Sequence, residues 1–322
     1  MAMPLSLFSS ILSLIILKKM DISIIIVNYN TREVTKQCLD SIFKWTKDVS
    51  FEVIVVDNNS HDGSKEMLAS YPNIKYVQSG GNLGFGKANN LGYKFSSGRY
   101  ILLLNSDTYL LNNAIKCFVD EFDKLPPTVG CIGGWLRSPD GDINNSYGQI
   151  PNIYSAINNS FGLYLRVLGI KPMQKKEYDD TAKSKHVEYV MGADICIRRE
   201  VVEKCGMFDP DFFMYYEESE MQNRYRQSGY TSMIVPTPLI VHLECVSSKV
   251  ANKKYSYSNR QTFFNSYMLY MKKTCSPLVY LFFRIVFLFQ FPIFLASYYT
   301  LKEKLGMLAL MFKPAKADSR RL

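Results

Sequence analysis

ISIIIVNYN, residues 22–30, is a β-branched apolar run that breaks abruptly into polar and aromatic residues. A strand with one wet face alternates apolar and polar side chains, whereas an unbroken run fits a parallel strand buried on both faces. Outward from it, Thr31–Trp45 places Val34, Cys38, Leu39, Ile42 and Phe43 at helical spacing, and EVIVV (52–56) is a second buried strand ending in Asp57-Asn58-Asn59-Ser60. A short helix is expected over Ser64–Tyr71, a third strand over Ile74–Val77, a Gly-rich loop over Gly80–Gly86 and a helix over Ala88–Phe95. YILLL (100–104) is the fourth strand, broken by Asn105-Ser106-Asp107. This alternation predicts an open α/β sheet that binds ligands at the carboxyl ends of its strands. The polar clusters after strands one, two and four fall at those ends.

Beyond this stretch, Ser138–Lys185 is rich in Asn, Tyr and Gly with weak periodicity, and a variable loop is expected there. Order returns over Tyr189–Arg199 and a dense aromatic and acidic block, Phe208–Arg226; a strand near Met233–Val235 then leads to His242. The 322 residues are 47% hydrophobic and 21% charged, enough for a large core and unlike a disordered chain. The net charge of +9 is unevenly spread: residues 1–250 hold 26 basic and 27 acidic side chains, residues 251–322 hold 12 and 2. No nucleic-acid recognition module accompanies the basic excess. Seven cysteines without a CxxC or a Cys/His cluster suggest a reduced compartment. Residues 1–19 are apolar but lack a basic start and a small-residue cleavage site, so the folded domain is expected to begin at Met20.

Several residues carry chemistry. Asp107, just past a buried strand, can hold a hard divalent cation that shares its shell with substrate phosphates, or it can cap a turn. Asp57 can accept from a pyrimidine ring N–H or simply close an Asx turn. The Gly80–Gly86 loop does not have dinucleotide GxGxxG spacing and follows the third strand, which fits backbone approach to a nucleotide better than a nicotinamide site. Glu217, Glu218 and Glu220 crowd beside Phe212, Phe213, Tyr215 and Tyr216. Acids against apolar walls raise one another's proton affinity, which suits a general base; acids also favour a helix start. His242 is one of three histidines, and a lone histidine is commonly structural.

Taken in order, SIIIVNYN, VVDNNSHDGS, GGNLGFGKANN, LLLNSDT, MGADICIRRE, FDPDFFMYYEESEMQNR and VHLECVSS resemble family-2 glycosyltransferases. The likeness covers about residues 21–250 and is nearest to bacterial rhamnosyl- and galactofuranosyl-type transferases of surface polysaccharide synthesis. It implies a GT-A fold, a nucleotide-diphosphate sugar donor, Mn²⁺ or Mg²⁺, and inversion at the anomeric carbon. By position, Tyr29, Asn30, Asp57, Asn82, Asn105 and Ser106 would surround the nucleotide-sugar, and Asp107 and His242 would hold the metal. Asn105 stands where many members have the first Asp of a DxD motif. Glu218, in place of the usual Asp of a Glu-Asp pair, would be the catalytic base with Glu217 its neighbour, and Asp194 would face sugar or acceptor. The best-fitting donor is dTDP-rhamnose, with UDP-galactofuranose or a UDP-hexose as alternatives, and the acceptor a glycan or polyprenyl-diphosphate-linked sugar.

The division expected is an apolar extension (1–19), a catalytic domain (20–250) and a basic, aromatic helical extension (251–322). Leu278–Thr300 is apolar over 23 residues but is interrupted by Arg284, Gln290 and Pro292. With its flanking lysines it suits an interfacial helix or hairpin on an anionic membrane surface, at the cytoplasmic face of the cell membrane. The competing expectation is a helical subdomain packed on the catalytic domain. A non-catalytic lectin-like scaffold is disfavoured by the joint presence of Asp57, Asp107, Glu218 and His242, and a nucleotidylyltransferase by Asn28-Tyr29-Asn30 where a Gly-rich basic loop is needed.

Overall fold

Strand β1 (Ile22–Asn28) buries Ile22, Ile24, Ile25 and Ile26 completely, which only a central strand with both faces covered can do. In a computed structural model, residues 20–167, 169, 183–244, 257–289, 300–313, 315 and 317 are described. The expectations for residues 1–19, for Cys245–Ser248 of the last motif and for 290–299 lie outside them.

The chain continues through α1 (Arg32–Trp45), β2 (Phe51–Asp57), α2 (Ser64–Ala69), β3 (Ile74–Gln78), α3 (Phe85–Tyr93) and β4 (Tyr100–Asn105). These four strands are parallel in the order β3-β2-β1-β4, as the apolar runs predict. Their register sets the site. Asn28 lies opposite Asp57 and Val27 opposite Asn105, so the polar residues that end each strand share one edge.

The second half is β5 (Thr108–Leu110), α4 (Ala114–Lys124), β6 (Val129–Arg137), β7 (Tyr147–Gly148), α5 (Ile153–Val167), β8 (Lys185–Val187), β9 (Tyr189–Val190), β10 (Asp194–Arg198), α6 (Arg199–Cys205), α7 (Glu217–Gln227) and β11 (Thr231–His242). Beyond β4 the sheet is mixed. β10 lies antiparallel between β4 and β6, β11 runs parallel to β6, and β5 closes the edge antiparallel to β11, off which β8 also pairs. β7 and β9 form a separate two-stranded ribbon. Cys38, Leu39 and Ile42 of α1 and Phe118 and Phe122 of α4 cover one face; Ala88 of α3, Val201 and Val202 of α6, and Met221 and Tyr225 of α7 cover the other. Each of the Leu, Ile, Val, Phe and Met side chains among these contributes about 1.5–3 kcal/mol by leaving water.

One expectation fails: α5 occupies fifteen residues of the segment read as loop. Its start is capped reciprocally, Ser155 N–H donating to Asn152 Oδ1 at 3.0 Å and Asn152 N–H to Ser155 Oγ at 3.0 Å. Asn and Gly weaken its apolar stripe, and its partner is distant in sequence, Phe161 meeting Phe289 at 4.8 Å. That partner belongs to the third layer, α8 (Tyr257–Thr274), α9 (Pro277–Leu288) and α10 (Leu301–Phe312), whose core includes Tyr267, Tyr270, Phe283, Phe287 and Met307.

Candidate active site

The site begins with a polar network at the carboxyl ends of β1, β2 and β4. Asn28 is fully buried, and its amide donates to Asp57 Oδ1 at 3.1 Å and to Ser60 Oγ at 3.0 Å. Its carbonyl accepts from Thr31 Oγ1 at 2.9 Å and Thr35 Oγ1 at 2.8 Å, and Thr31 Oγ1 in turn lies 3.1 Å from Ser106 Oγ. Asn28 thus couples Asp57 to the Asn105-Ser106-Asp107 turn. Asp57 is itself buried, with its second oxygen 3.4 Å from the Tyr76 hydroxyl. Asn30 (φ 53°) and Asn59 (φ 69°) take left-handed conformations that short amide side chains tolerate. They fold the two loops together, with Asn30 Oδ1 accepting from His61 N–H at 2.8 Å. Tyr29 projects outward, 39% exposed.

Asn58 ties the Gly-rich loop to this edge. Its carbonyl accepts from Leu83 N–H at 2.9 Å, and its amide donates to Asn82 Oδ1 at 3.1 Å and to Gly84 O at 3.3 Å. Gly84 sits at φ 81°, ψ −175°, and a Cβ there would stand 2.1 Å from the Phe213 carbonyl. Only glycine permits that approach, which lets Phe85 N–H donate to Phe213 O at 2.9 Å.

Asp107 and His242 arrive from strands far apart in sequence. The antiparallel pairing of β11 with β5 puts His242 opposite Thr108, and His242 Nε2 lies 3.3 Å from Asp107 Oδ1. Leu243 N–H donating to Asp107 O at 2.9 Å fixes the turn. One hard oxygen and one imidazole suit Mn²⁺ at least as well as Mg²⁺. Among the described residues no group of three His, Cys, Asp or Glu side chains could enclose a metal. Two protein donors leave room for substrate phosphates, which is how such a cation is commonly held.

The acids open α7. Its N-cap is Tyr216, and both Tyr215 (φ 73°) and Tyr216 (φ 67°) lie in the left-handed region, a cost of about 1–2 kcal/mol each for bulky residues. Aromatic packing offsets it: Tyr216 stacks on Tyr267 at 5.0 Å, and Phe263 meets Tyr215 at 5.6 Å and Tyr216 at 5.2 Å. Burial, and then the charge of Glu218, pushes the Glu217 carboxyl well above the usual range, and burial raises Glu218. Burial also raises Glu220, but Arg224 engages it at 2.7 Å. Glu217 and Glu218 each have one oxygen without a hydrogen-bond partner. Both the helix-start and the crowded-acid readings of this block therefore describe it.

The segment Met191–Asp194 joins the two halves. A Cβ on Gly192 would lie 3.9 Å from Glu218 Oε1, and the Ala193 carbonyl accepts from Asn105 N–H at 2.9 Å. Asp194 itself points into the sheet. It is fully buried, its Oδ2 accepting from Gly134 N–H at 2.7 Å, and burial holds its carboxyl well above the usual range.

Sequence reasoning missed the residues that hold these groups in place. Asn28 and Asn58 stand inside quoted motifs, and their position at parallel strand ends was the available signal. Helix α8 gave none. Lys273 Nζ bonds Asp209 and Asp211, both at 2.6 Å, and Ser266 Oγ donates to Met214 O at 2.7 Å, so α8 clasps the Asp209–Tyr216 loop that leads into the acids.

Three comparisons bear on this geometry. The 322 residues resemble the N-acetylglucosaminyl-diphospho-decaprenol L-rhamnosyltransferase of Mycobacterium tuberculosis, 27% identical over 210 residues, 59% of this chain and 66% of that protein. They also resemble the low-salt glycan biosynthesis hexosyltransferase Agl10 of Haloferax volcanii, 30% identical over 222 residues, 65% of this chain and 62% of that protein. The match thus spans just under two thirds of either relative's length. Among solved structures, the mannosyltransferase PcManGT of Pyrobaculum calidifontis, in complex with GDP-Man and Mn²⁺, superposes with a TM-score of 0.53 at 16% identity, over 91% of this chain and 79% of that one. The fold is GT-A, a mixed sheet flanked by helices. The sequence profile described as Glycosyl transferase family 2 matches residues 23–206, more than half of the chain, and the protein belongs to that family.

Proposed function

We propose that the protein is an inverting, divalent-cation-dependent glycosyltransferase that moves rhamnose from dTDP-rhamnose to a polyprenyl-diphosphate-linked sugar in surface polysaccharide synthesis. The observation that carries the reading is the Asp107–His242 pair, 3.3 Å apart just beyond β4, with the neighbouring Asn105 bonded to Ala193 and the adjacent Gly192 close to the raised carboxyl of Glu218. The names of the rhamnosyltransferase and hexosyltransferase relatives support the substrate class.

Asp107 and His242 would hold the cation, Mn²⁺ or Mg²⁺, which would supply positive charge against the leaving diphosphate. Tyr29, Asn30, Asp57, Asn82, Asn105 and Ser106 enclose the nucleotide-sugar, with Asn28 and Asn58 fixing their loops. Glu218 takes the proton from the acceptor hydroxyl as that oxygen attacks the anomeric carbon opposite the departing diphosphate. Glu217 stays protonated beside it, since two adjacent buried carboxylates do not both ionise readily. Asp194, with no exposed surface, serves the sugar side by anchoring the Gly192-Ala193 turn against Gly134. A lipid-linked acceptor brings the enzyme to the cytoplasmic membrane surface, with residues 251–322 as its attachment.

The test is a donor panel of dTDP-rhamnose, UDP-galactofuranose and UDP-hexoses with Mn²⁺, read by donor hydrolysis and by protection against thermal unfolding. Selective, Mn²⁺-dependent turnover of dTDP-rhamnose is expected. Turnover of another donor alone would replace the sugar but keep the reaction, and no response to any nucleotide-sugar would overturn the enzyme assignment.

A further inference from the structure

Helix α9 has two unlike faces. Phe283, Val286 and Phe287 are buried in the third layer, whereas Leu278 is 80% exposed, Leu281 is 58% exposed, and Phe282, Ile285 and Phe289 are about half exposed. At 3.6 residues per turn these five fall within about 100° of arc, a continuous apolar stripe and not scattered surface residues. Leu301, Leu305 and Phe312 make a narrower exposed stripe along α10. Arg284 ties the helices together, its Nη2 donating to the carbonyls of Met311 at 2.8 Å and Lys313 at 3.3 Å at the end of α10.

The charges around these stripes have one sign. The described residues from Tyr257 onward carry seven lysines and arginines against one carboxylate, Glu303, which is occupied in a capping box with Thr300. Lys272, Lys302 and Lys313 are exposed. A second copy packed on this face by a two-fold axis would set like charges together, which disfavours self-association. An anionic lipid surface complements both the apolar stripe and its basic rim.

We propose that α9 and α10 form a monotopic membrane face that lies in the headgroup layer of an anionic leaflet without crossing it. Each helix has 12 residues, about 18 Å long, against a hydrocarbon core of about 30 Å. Among the described residues no helix is long and apolar enough to cross a membrane. Arg284 does not put a free cation into the stripe, because its guanidinium is bonded to the carbonyls that end α10. The purpose of the face rests on the reading of a lipid-linked acceptor, but its test needs no turnover. The same third layer includes α8, which clasps the loop before Glu217, so a leaflet held by α9 lies next to the support of the active site.

The test is flotation of the purified full-length chain with vesicles of phosphatidylcholine, alone or with about three parts in ten phosphatidylglycerol. Binding to the anionic vesicles is expected, weakened about tenfold or more on phosphatidylcholine alone or in high salt. Leu281→Glu with Ile285→Glu should weaken it about tenfold or more without shifting the melting temperature, because both positions are exposed in the folded chain. Lys302→Glu with Lys313→Glu should remove the preference for anionic lipid. Absence of wild-type flotation, or flotation unchanged in the Leu281/Ile285 variant, overturns the proposal. So does conversion of a dimer to a monomer by that variant in light scattering, which would assign the face to a second copy. Flotation that appears only after removal of residues 1–19 would assign the face to that segment and overturn it as well. Thermal protection by dTDP or UDP with Mn²⁺, measured on the same samples, separates the two readings: nucleotide binding without flotation sinks only the membrane face, and flotation without nucleotide binding sinks only the enzyme assignment.

Discussion

Replacing Gly84 by alanine tests whether the Gly-rich loop and the acid loop are one mechanical unit. At φ 81°, ψ −175° an alanine is strained by about 1–3 kcal/mol. Its Cβ would also lie 2.1 Å from Phe213 O, 2.5 Å from Phe213 Cδ2 and 2.9 Å from Phe213 C. The Phe213 carbonyl must then retreat by about 1 Å to reach normal separation, which breaks the bond from Phe85 N–H, a further loss of about 1 kcal/mol. The sum is about 3 kcal/mol. Gly80 supplies the control, because it also has positive φ (75°) but nothing within 4 Å of a Cβ. Gly80→Ala should therefore cost only about 1 kcal/mol for the backbone. Urea midpoints followed by circular dichroism, with nucleotide binding on the same samples, measure the difference. Gly84→Ala should lose about 2 kcal/mol more stability than Gly80→Ala and bind nucleotide more weakly. Equal losses in the two variants would refute the coupling, because backbone strain alone would then account for both.

Three further outcomes follow from the site. Glu218→Gln should keep nucleotide binding and lose about 10²–10⁴-fold in turnover, while Glu217→Gln, close in shape to a protonated Glu217, should retain most of it; near-wild-type turnover of Glu218→Gln would remove the base assignment. Because Glu218 is raised, activity should climb with pH through a value above the ordinary carboxylate range of about 4.3. The stability trend runs the opposite way: a raised Glu217 stabilises the fold fully below its unfolded pKa and loses that contribution as pH rises through its folded one, so Glu217→Gln should gain relative stability toward neutral and alkaline pH in urea titrations. Asp107→Asn should weaken the Mn²⁺-dependent part of nucleotide binding while leaving metal-free binding unchanged, read by calorimetry with and without chelator. Lys273→Met breaks two partly exposed ion pairs worth about 1 kcal/mol together, and should lower turnover more than nucleotide affinity by loosening the loop before Glu217.

The first half of the fold was legible because each of its four parallel strands is an apolar run ending in polar residues, so local pattern and tertiary position coincide. Thr31–Trp45 and Tyr100–Leu104 fall within a residue of the observed elements. The second half was not, since β10 enters the sheet antiparallel between β4 and β6, and no local pattern in ADICIRR says which neighbours it pairs with. α5 was read as loop because its stability comes from α9, more than a hundred residues away. In the site, residues at strand ends were recognised by type and place. Asn28 was passed over although its burial makes it the hub, because burial is a property of the folded chain. Lys273, Ser266 and Tyr267 lie outside every motif, and they act through the loop they grip.

That grip also has a consequence in time. Ser266 holds Met214 across 52 residues of sequence, and Lys273 holds Asp209 across 64. During synthesis β2, which bears Asp57, and the turn after β4 that bears Asp107 emerge first, and domains can begin to fold as they appear. The left-handed turn at Tyr215 and Tyr216 lacks its aromatic support until α8 has emerged and docked. The acids therefore take their final places last, and a chain stalled short of α8 holds the polar edge around Asp57 and Asp107 without settled acids at the start of α7.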